Sequence, residues 1–415
     1  MLKIENRVFD KTIILKMIMI LQNITMFFSD IVNAITSLNV VCLILYMVYV
    51  FLEKTTIKLY RYLLCWFCYV FIVVLNLMFG GDAHFIVAFI VCNLIMFLQM
   101  SLPGCGEFEL KIMKVCAWIH LIASLMVYVF PQSLIDDIFE VLLRTNHATN
   151  YSWRVLKHVN PGITTQPGLN ALFLTILFTI YASEIISSKG KRLVRILIMI
   201  LSYGMILTTA KRSAIIFSIP SIVIFYYIVR KKSGKSKNIS RIIGNFGSAI
   251  LSVAIMYYLY SNTLVFSAVF EKIDTLTTID NVSNGRLELW GQALNSFGNN
   301  PLFGIGLKKI FSLIGMDVHN TYLQILAETG IIGFVFFILG LIQILKKSVK
   351  KVKNVFATTI DGVRRSVVGT GFSLMLFLLL YGFVGNTFID YIPIMIFCLA
   401  CVMINGQTER MNLID

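Results

Sequence analysis

Three stretches of this 415-residue sequence combine residue types that could do chemistry. Two adjacent cations, Lys211 and Arg212, stand in Thr208-Thr209-Ala210-Lys211-Arg212-Ser213, between two strongly apolar runs. Arg286 opens Arg286-Leu-Glu-Leu-Trp290-Gly-Gln-Ala-Leu-Asn-Ser-Phe297. The densest group is His319-Asn320-Thr-Tyr-Leu323-Gln-Ile-Leu-Ala-Glu328-Thr-Gly330-Ile-Ile-Gly333. A guanidinium meets phosphate oxygens with a two-pronged fork. A histidine at a helix N-terminus resists protonation, because the positive helix end disfavours imidazolium, and it can then accept a proton near neutral pH. Glu328 lies about two turns further on, and an ionisable group within an apolar run is by default a functional candidate. The chemistry these types suggest is phosphate binding beside a general base.

Each group also has a plainer explanation. Lys211 and Arg212 could snorkel to phospholipid headgroups. Arg286 could be a solvated surface residue, His319 a hydrogen-bonded structural one, and Glu328 the ion-pair partner of Arg212. Gly330 and Gly333 would most simply let another helix approach closely.

Local patterns say how these residues should be held. Ser283 or Asn284 can cap a helix in which Leu287, Trp290, Leu294 and Phe297 recur at helical spacing, and Gly298 and Pro301 end it. This predicts a short amphipathic helix lying on a membrane, with Arg286 in its first turn. A cation there opposes the helix dipole, unless a phosphate binds between the side chain and the free N–H groups. Pro301-Leu-Phe-Gly304-Ile-Gly306 then turns the chain, and Asn320 or Asp317 caps the apolar helix that follows.

Composition decides what those elements are embedded in. About 240 apolar residues (58%) stand against 36 basic and 21 acidic ones, with mean hydropathy +0.82. That balance excludes a soluble enzyme, a disordered chain and a nucleic-acid-binding domain, despite a pI near 9.4. A membrane helix uses about 20 apolar residues. Twelve spans are expected, near 12–28, 32–52, 59–79, 84–102, 112–131, 167–187, 193–209, 213–229, 243–260, 321–345, 366–386 and 388–404. The fold class expected is an all-α polytopic membrane protein with about 12 transmembrane helices, a single integral membrane domain over 1–415. The first run contains Lys16 and Gln22, so an interfacial amphipathic helix is its alternative. No Ala-x-Ala pattern follows it, and it is read as an uncleaved span. A very short turn at Asn386–Phe388 joins the last two spans.

Charge then sets orientation. With the N-terminus inside and spans alternating, 27 basic and 9 acidic residues fall inside, against 9 and 12 outside. This is the asymmetry of the positive-inside rule. Both termini are expected in the cytoplasm, and the loops at 132–166 and 261–320 are extracytoplasmic. All the candidate cations then lie outside, and any chemistry belongs to these loops and the helix ends beneath them. Seven of the eight cysteines fall in spans and Cys105 in a loop, and no disulfide framework, metal site or cofactor is expected.

The stretch 280–340 resembles the O-antigen polymerase/ligase family, that is, Wzy-type repeat-unit polymerases and the related O-antigen ligases. The resemblance rests on Arg286-x3-Trp290, Pro301-Leu-Phe-Gly-Ile-Gly306 and His319-Asn320-x2-Leu323-x4-Glu328-x-Gly330-x2-Gly333 in combination. The turn at Arg212 is similar to the family's small-residue–Arg turn. Lys211 stands where a Ser is common there, which leaves open which cation is the functional one. Elsewhere the chain matches only in hydropathy and span count.

The resemblance implies a glycosyltransferase-C-like membrane fold, a bacterial inner-membrane location, and metal-independent, inverting glycosyl transfer on the outer face. The implied donor is an oligosaccharide on undecaprenyl pyrophosphate. Arg212 and Arg286 would hold the leaving pyrophosphate, and His319 would orient or deprotonate the attacking hydroxyl. Lys211, Asn320, Glu328 and Trp290 would contribute to substrate binding. The expected function is polymerisation of lipid-linked repeat units for an O-antigen or capsule. The alternatives are ligation to a lipopolysaccharide core or, in another class, transport of lipid-linked sugars. The implied partners are the lipid-linked substrate and membrane lipids, with room for a chain-length regulator and a flippase, and no nucleic acid.

Overall fold

In a computed structural model of the chain, the residues described are 11–32, 35–130, 159–188, 190, 192–230 and 285–406. Among them there are helices and no strand. The helices are α1 (Lys11–Phe27), α2 (Ile35–Leu52), α3 (Leu64–Leu75, with 3-10 turns at Arg61–Leu63 and Asn76–Phe79), α4 (Ala83–Ser101) and α5 (Cys105–Val129). Then come α6 (Pro167–Ser187), α7 (Arg192–Thr208), α8 (Arg212–Arg230), α9 (Arg286–Asn299) and α10 (Lys309–Ile314). The series ends with α11 (Thr321–Thr358), α12 (Gly362–Tyr381) and α13 (Tyr391–Asn405). Cys105 opens α5 and is buried, so it belongs to a helix end and not to a loop.

Eleven of the twelve expected spans coincide with these helices, and 243–260 lies outside the described residues. Among the described residues, seven helices are long and apolar enough to cross a membrane, fewer than the twelve expected. Helices α1, α2 and α13 are apolar but shorter. Between α12 and α13 the chain needs residues 382–390, a longer connection than the expected turn at Asn386–Phe388.

Helix α6 is apolar on every side, which is the pattern of a helix buried all round. It packs against α5, α7, α8 and α12, while α12 and α13 pair and α13 reaches α4 and α5. Helices α6, α12 and α13 therefore form the centre, and α11 lies along α3 at one side. At the periphery, large apolar side chains such as Phe51, Phe71, Leu197, Ile216 and Val223 stand exposed, as suits a surface solvated by lipid.

A polar network ties the N-terminal helices. Glu109 of α5 accepts from Asn23 of α1 at 2.7 Å and from Gln99 of α4 at 2.8 Å, and Tyr46 of α2 donates to Gln22 of α1 at 2.7 Å. With Gln22 and Asn23 fully buried, α1 is a member of the bundle and not an interfacial helix.

Candidate functional site

The site is built around a break in α11. That helix is capped at Asn320, whose Oδ1 accepts from the N–H groups of Tyr322 and Leu323 at 3.1 and 3.2 Å. Of the two caps expected from sequence, Asn320 is the one used. Nine residues into the helix, Gly330 takes φ 66°, ψ −174°, a backbone region open essentially to glycine alone. The turn opens, and the segment 301–306 runs through the gap.

Four backbone hydrogen bonds join that segment to the two sides of the break. The N–H groups of Ile305 and Gly306 donate to the carbonyls of Ala327 and Glu328 at 3.2 and 2.9 Å, and those of Ile331 and Ile332 donate to Pro301 and Leu302 at 2.8 and 3.3 Å. Within an apolar surround an unpaired backbone group is costly, so the loop and the helix end are one hydrogen-bonded unit. Glycine is required on both sides of the contact. A Cβ on Gly330 would sit 2.3 Å from the Leu302 oxygen, and one on Gly304 2.3 Å from the Glu328 carbonyl carbon. Gly330 thus opens its own helix to a loop, where the sequence suggested a groove for a neighbouring helix.

Glu328 is part of this joint. It is fully buried, and its Oε1 accepts from the Ile310 N–H at 3.2 Å and from Gln324 Nε2 at 3.0 Å. These bonds tie the N-terminus of α10 to α11, in place of the partnership with Arg212 considered from sequence. Its second oxygen, Oε2, is buried without a hydrogen bond.

Lys308 is a residue that sequence reasoning missed. It adopts a left-handed conformation (φ 64°), and its ammonium reaches Asp317 at 3.0 Å and Asp390 at 3.1 Å. Against its burial, Asp390 and Asp317 hold the ammonium above the ordinary lysine value. Asp317 also accepts from Gln324 at 3.0 Å and from Asn386 at 3.2 Å. The loop ahead of α11 is thereby pinned to the α12–α13 connection. Thr321 completes the seam, its N–H donating to Gly382 and its hydroxyl to Gly385. The apolar signal near Lys308 gave no hint of this, because its partners lie 9 and 82 residues away.

His319 stands immediately before the cap, half-buried, with φ 55°. Burial first, then the charges of Lys211 and Arg286, push its imidazole below the ordinary value, while Asp317 acts in the opposite sense. The chain therefore brings Lys211, Arg286 and Lys308 to bear on His319. Desolvation and these cations act in the same sense as the helix dipole considered from sequence.

Both outlying cations stand at helix N-termini. Lys211 lies over the first turn of α6, where a Cβ on Gly168 would be 3.5 Å from its Nζ. Arg286 is the first residue of α9, behind Gly285 at φ 76°. Gly285 occupies the cap place expected of Ser283 or Asn284, which lie outside the described residues. Cations added to positive helix ends build a strongly anion-attracting region. Arg212 follows Lys211 as the first residue of α8.

Helix α9 is amphipathic, but its buried stripe is shifted from the expected one. Leu289 and Ala293 are buried and Trp290 and Phe297 pack with Ile310, Val318 and Ala327, whereas Leu287 and Leu294 are exposed. Trp290 thus faces the loop's own small core, and its Nε1 is buried without an acceptor. Asn320 likewise is spent on the backbone cap.

The geometry can be set beside known proteins. No curated protein matches the chain significantly. Residues 197–338, about a third of the chain, match the family model described as O-antigen ligase, a stretch that holds Lys211, Arg212, Arg286, Trp290, His319, Asn320 and Glu328. Over the stretch that builds the anion-attracting site and the broken helix, this protein is similar to the O-antigen polymerase/ligase family.

Proposed function

We propose that this protein is a membrane glycosyltransferase that joins polyprenyl-pyrophosphate-linked oligosaccharide repeat units into a bacterial surface polysaccharide. The observation that carries the reading is that Lys211 and Arg286, each at a helix N-terminus, act electrostatically on the half-buried His319 ahead of α11. A diphosphate needs fixed cations, and a sugar hydroxyl needs a neutral base; here the cations at two helix ends act on the histidine before a third.

In this reading the donor's diphosphate rests between Arg286, Lys211 and the first turns of α6 and α9. Arg212 stands beside it, as the resemblance implies. His319 accepts the proton of the acceptor hydroxyl as its oxygen bonds to the anomeric carbon. The bond from that carbon to the phosphate oxygen breaks, and the electron pair leaves on the diphosphate, steadied by the cations. Attack from the face opposite the leaving group inverts the configuration. Lys308, Asn320 and Glu328 set the loop, and Trp290 forms its wall. In the same reading the site faces the exterior and both termini lie in the cytoplasm.

The test is incubation of the purified protein with lipid-linked repeat units and no other acceptor. A ladder of longer glycans supports the polymerase. The matched family's description favours a second reading, in which the acceptor is a lipopolysaccharide core. Transfer seen only when that core is added would select it. Unchanged glycans redistributed between the two faces of a vesicle would select transport and overturn both.

A further inference from the structure

Helix α11 has a second end. Past the break, its 28 residues from Ile331 to Thr358 run about 42 Å at 1.5 Å per residue, beyond a hydrocarbon core of about 30 Å. The far end therefore emerges on the membrane face opposite His319. There the sequence runs Lys346-Lys347-Ser-Val-Lys350-Lys351-Val-Lys353-Asn354.

These lysines border an open-sided surface pocket of about 480 Å³, lined among the described residues by Lys347, Lys350, Lys351, Lys353 and Asn354. Three features set it apart from an ordinary solvated charge run. Lys347, Lys350 and Lys351 recur at helical spacing and crowd like charge onto one face, which weakens a helix when nothing neutralises it. Among the described residues, the ion pairs fall on other cations and none on these lysines. The groups that act on Lys351 are further cations, Arg364 from the start of α12 and Lys347.

The neighbouring element is set up for the same chemistry. Lys347 Nζ lies 5.7 Å from the Tyr62 ring, in the 3-10 turn that opens α3, and the Tyr62 hydroxyl is buried without a partner. Arg365 Nε is also buried without an acceptor, while its Nη2 donates to the Phe356 carbonyl. Four lysines around one pocket, where a spanning helix leaves the bilayer, favour a multivalent oxygen anion.

We propose that this cavity is a binding site for a phosphate-bearing anion, the headgroup of an anionic phospholipid or free phosphate, held by Lys347, Lys350, Lys351 and Lys353. It lies at the opposite end of α11 from the proposed transfer site and does not rest on that reading.

The experiment uses the full-length protein in a zwitterionic detergent. Amine-reactive labelling of each lysine is read by mass spectrometry after adding phosphatidylglycerol, phosphatidylcholine or inorganic pyrophosphate. Phosphatidylglycerol or pyrophosphate should shield Lys347, Lys350, Lys351 and Lys353, with Lys54 and Lys58 labelled as before. Shielding by the lipid alone assigns the site to a headgroup; equal shielding by pyrophosphate assigns it to a soluble anion. Lys350→Gln and Lys351→Gln should each weaken binding about fivefold, and the double variant about 25-fold. Glutamine keeps helix propensity, and circular dichroism checks that the variants are folded. Labelling unaffected by either anion, or binding unchanged in the double variant, overturns the proposal.

Discussion

The N–H of Gly306 donates to the carbonyl oxygen of Glu328 at 2.9 Å, across the opening that Gly330 makes in α11. A loop segment thus supplies a hydrogen bond that the broken helix lacks. The position of His319, eleven residues before Gly330, depends on that splice.

Gly330→Ala should therefore be severe. It forces a non-glycine residue into a glycine-only region, and its Cβ meets the Leu302 oxygen at 2.3 Å. The expected loss is about 3 kcal/mol or more of stability, seen as a lowered thermal midpoint in detergent. Gly291→Ala in α9 is the matched control, since nothing lies within 4 Å of its Cβ. It should be neutral or stabilising by up to about 1 kcal/mol.

His319→Asn tests the base without disturbing the fold. Asparagine tolerates the left-handed backbone that His319 adopts (φ 55°). Glycosyl transfer should fall about 10²–10⁴-fold, with donor binding and thermal midpoint nearly unchanged. Transfer at the wild-type rate would remove His319 from the mechanism.

Arg286→Ala should lower transfer by about 10²–10³-fold, and Arg286→Lys should restore little, because an ammonium lacks the fork. Lys211→Ala and Arg212→Ala, measured side by side, decide which cation of that pair acts. Lys211 acts electrostatically on His319, so its loss should lower transfer and also shift the pH dependence.

The pH dependence follows from the same charges. His319 is held below its ordinary value by burial, Lys211 and Arg286, and a base works only when neutral. Activity should persist below the usual histidine range and fall as the pH drops through the lowered value. Lys211→Gln removes one repulsive charge, so the acid limb of the pH–rate profile should move to higher pH. A limb that stays in place would show that another group titrates there.

Lys308→Met breaks the pairs to Asp317 and Asp390 and leaves a largely buried carboxylate without its cation. The expected cost is about 2 kcal/mol. Adding Asp317→Asn should recover part of it, and a double-mutant cycle of thermal midpoints measures the coupling.

Much of this was legible in the sequence. Apolar runs gave eleven helices, because a run bounded by charges leaves a spanning chain little alternative. The cap at Asn320 was within reach of the motif. The break at Gly330 was not, since glycine in a helical pattern does not announce a loop that arrives from 30 residues upstream. Lys308 was hidden for a like reason, as its worth depends on Asp390, 82 residues away. On α9 the leucine spacing misled by phase. Leu287 and Leu294 fit the helical period as well as Leu289 and Ala293 do, and only packing against α11 chooses between them.

The splice between 301–306 and α11 also limits where such a protein can diversify. Because the strip of loop and the membrane helix complete each other's ladder, an insertion in one unzips the other, and neither can be exchanged alone. Under the proposed function, adaptation to new saccharides would accordingly fall on parts that can vary without tearing this seam, and the outward side of α9, where Leu287 and Leu294 are exposed, is such a place.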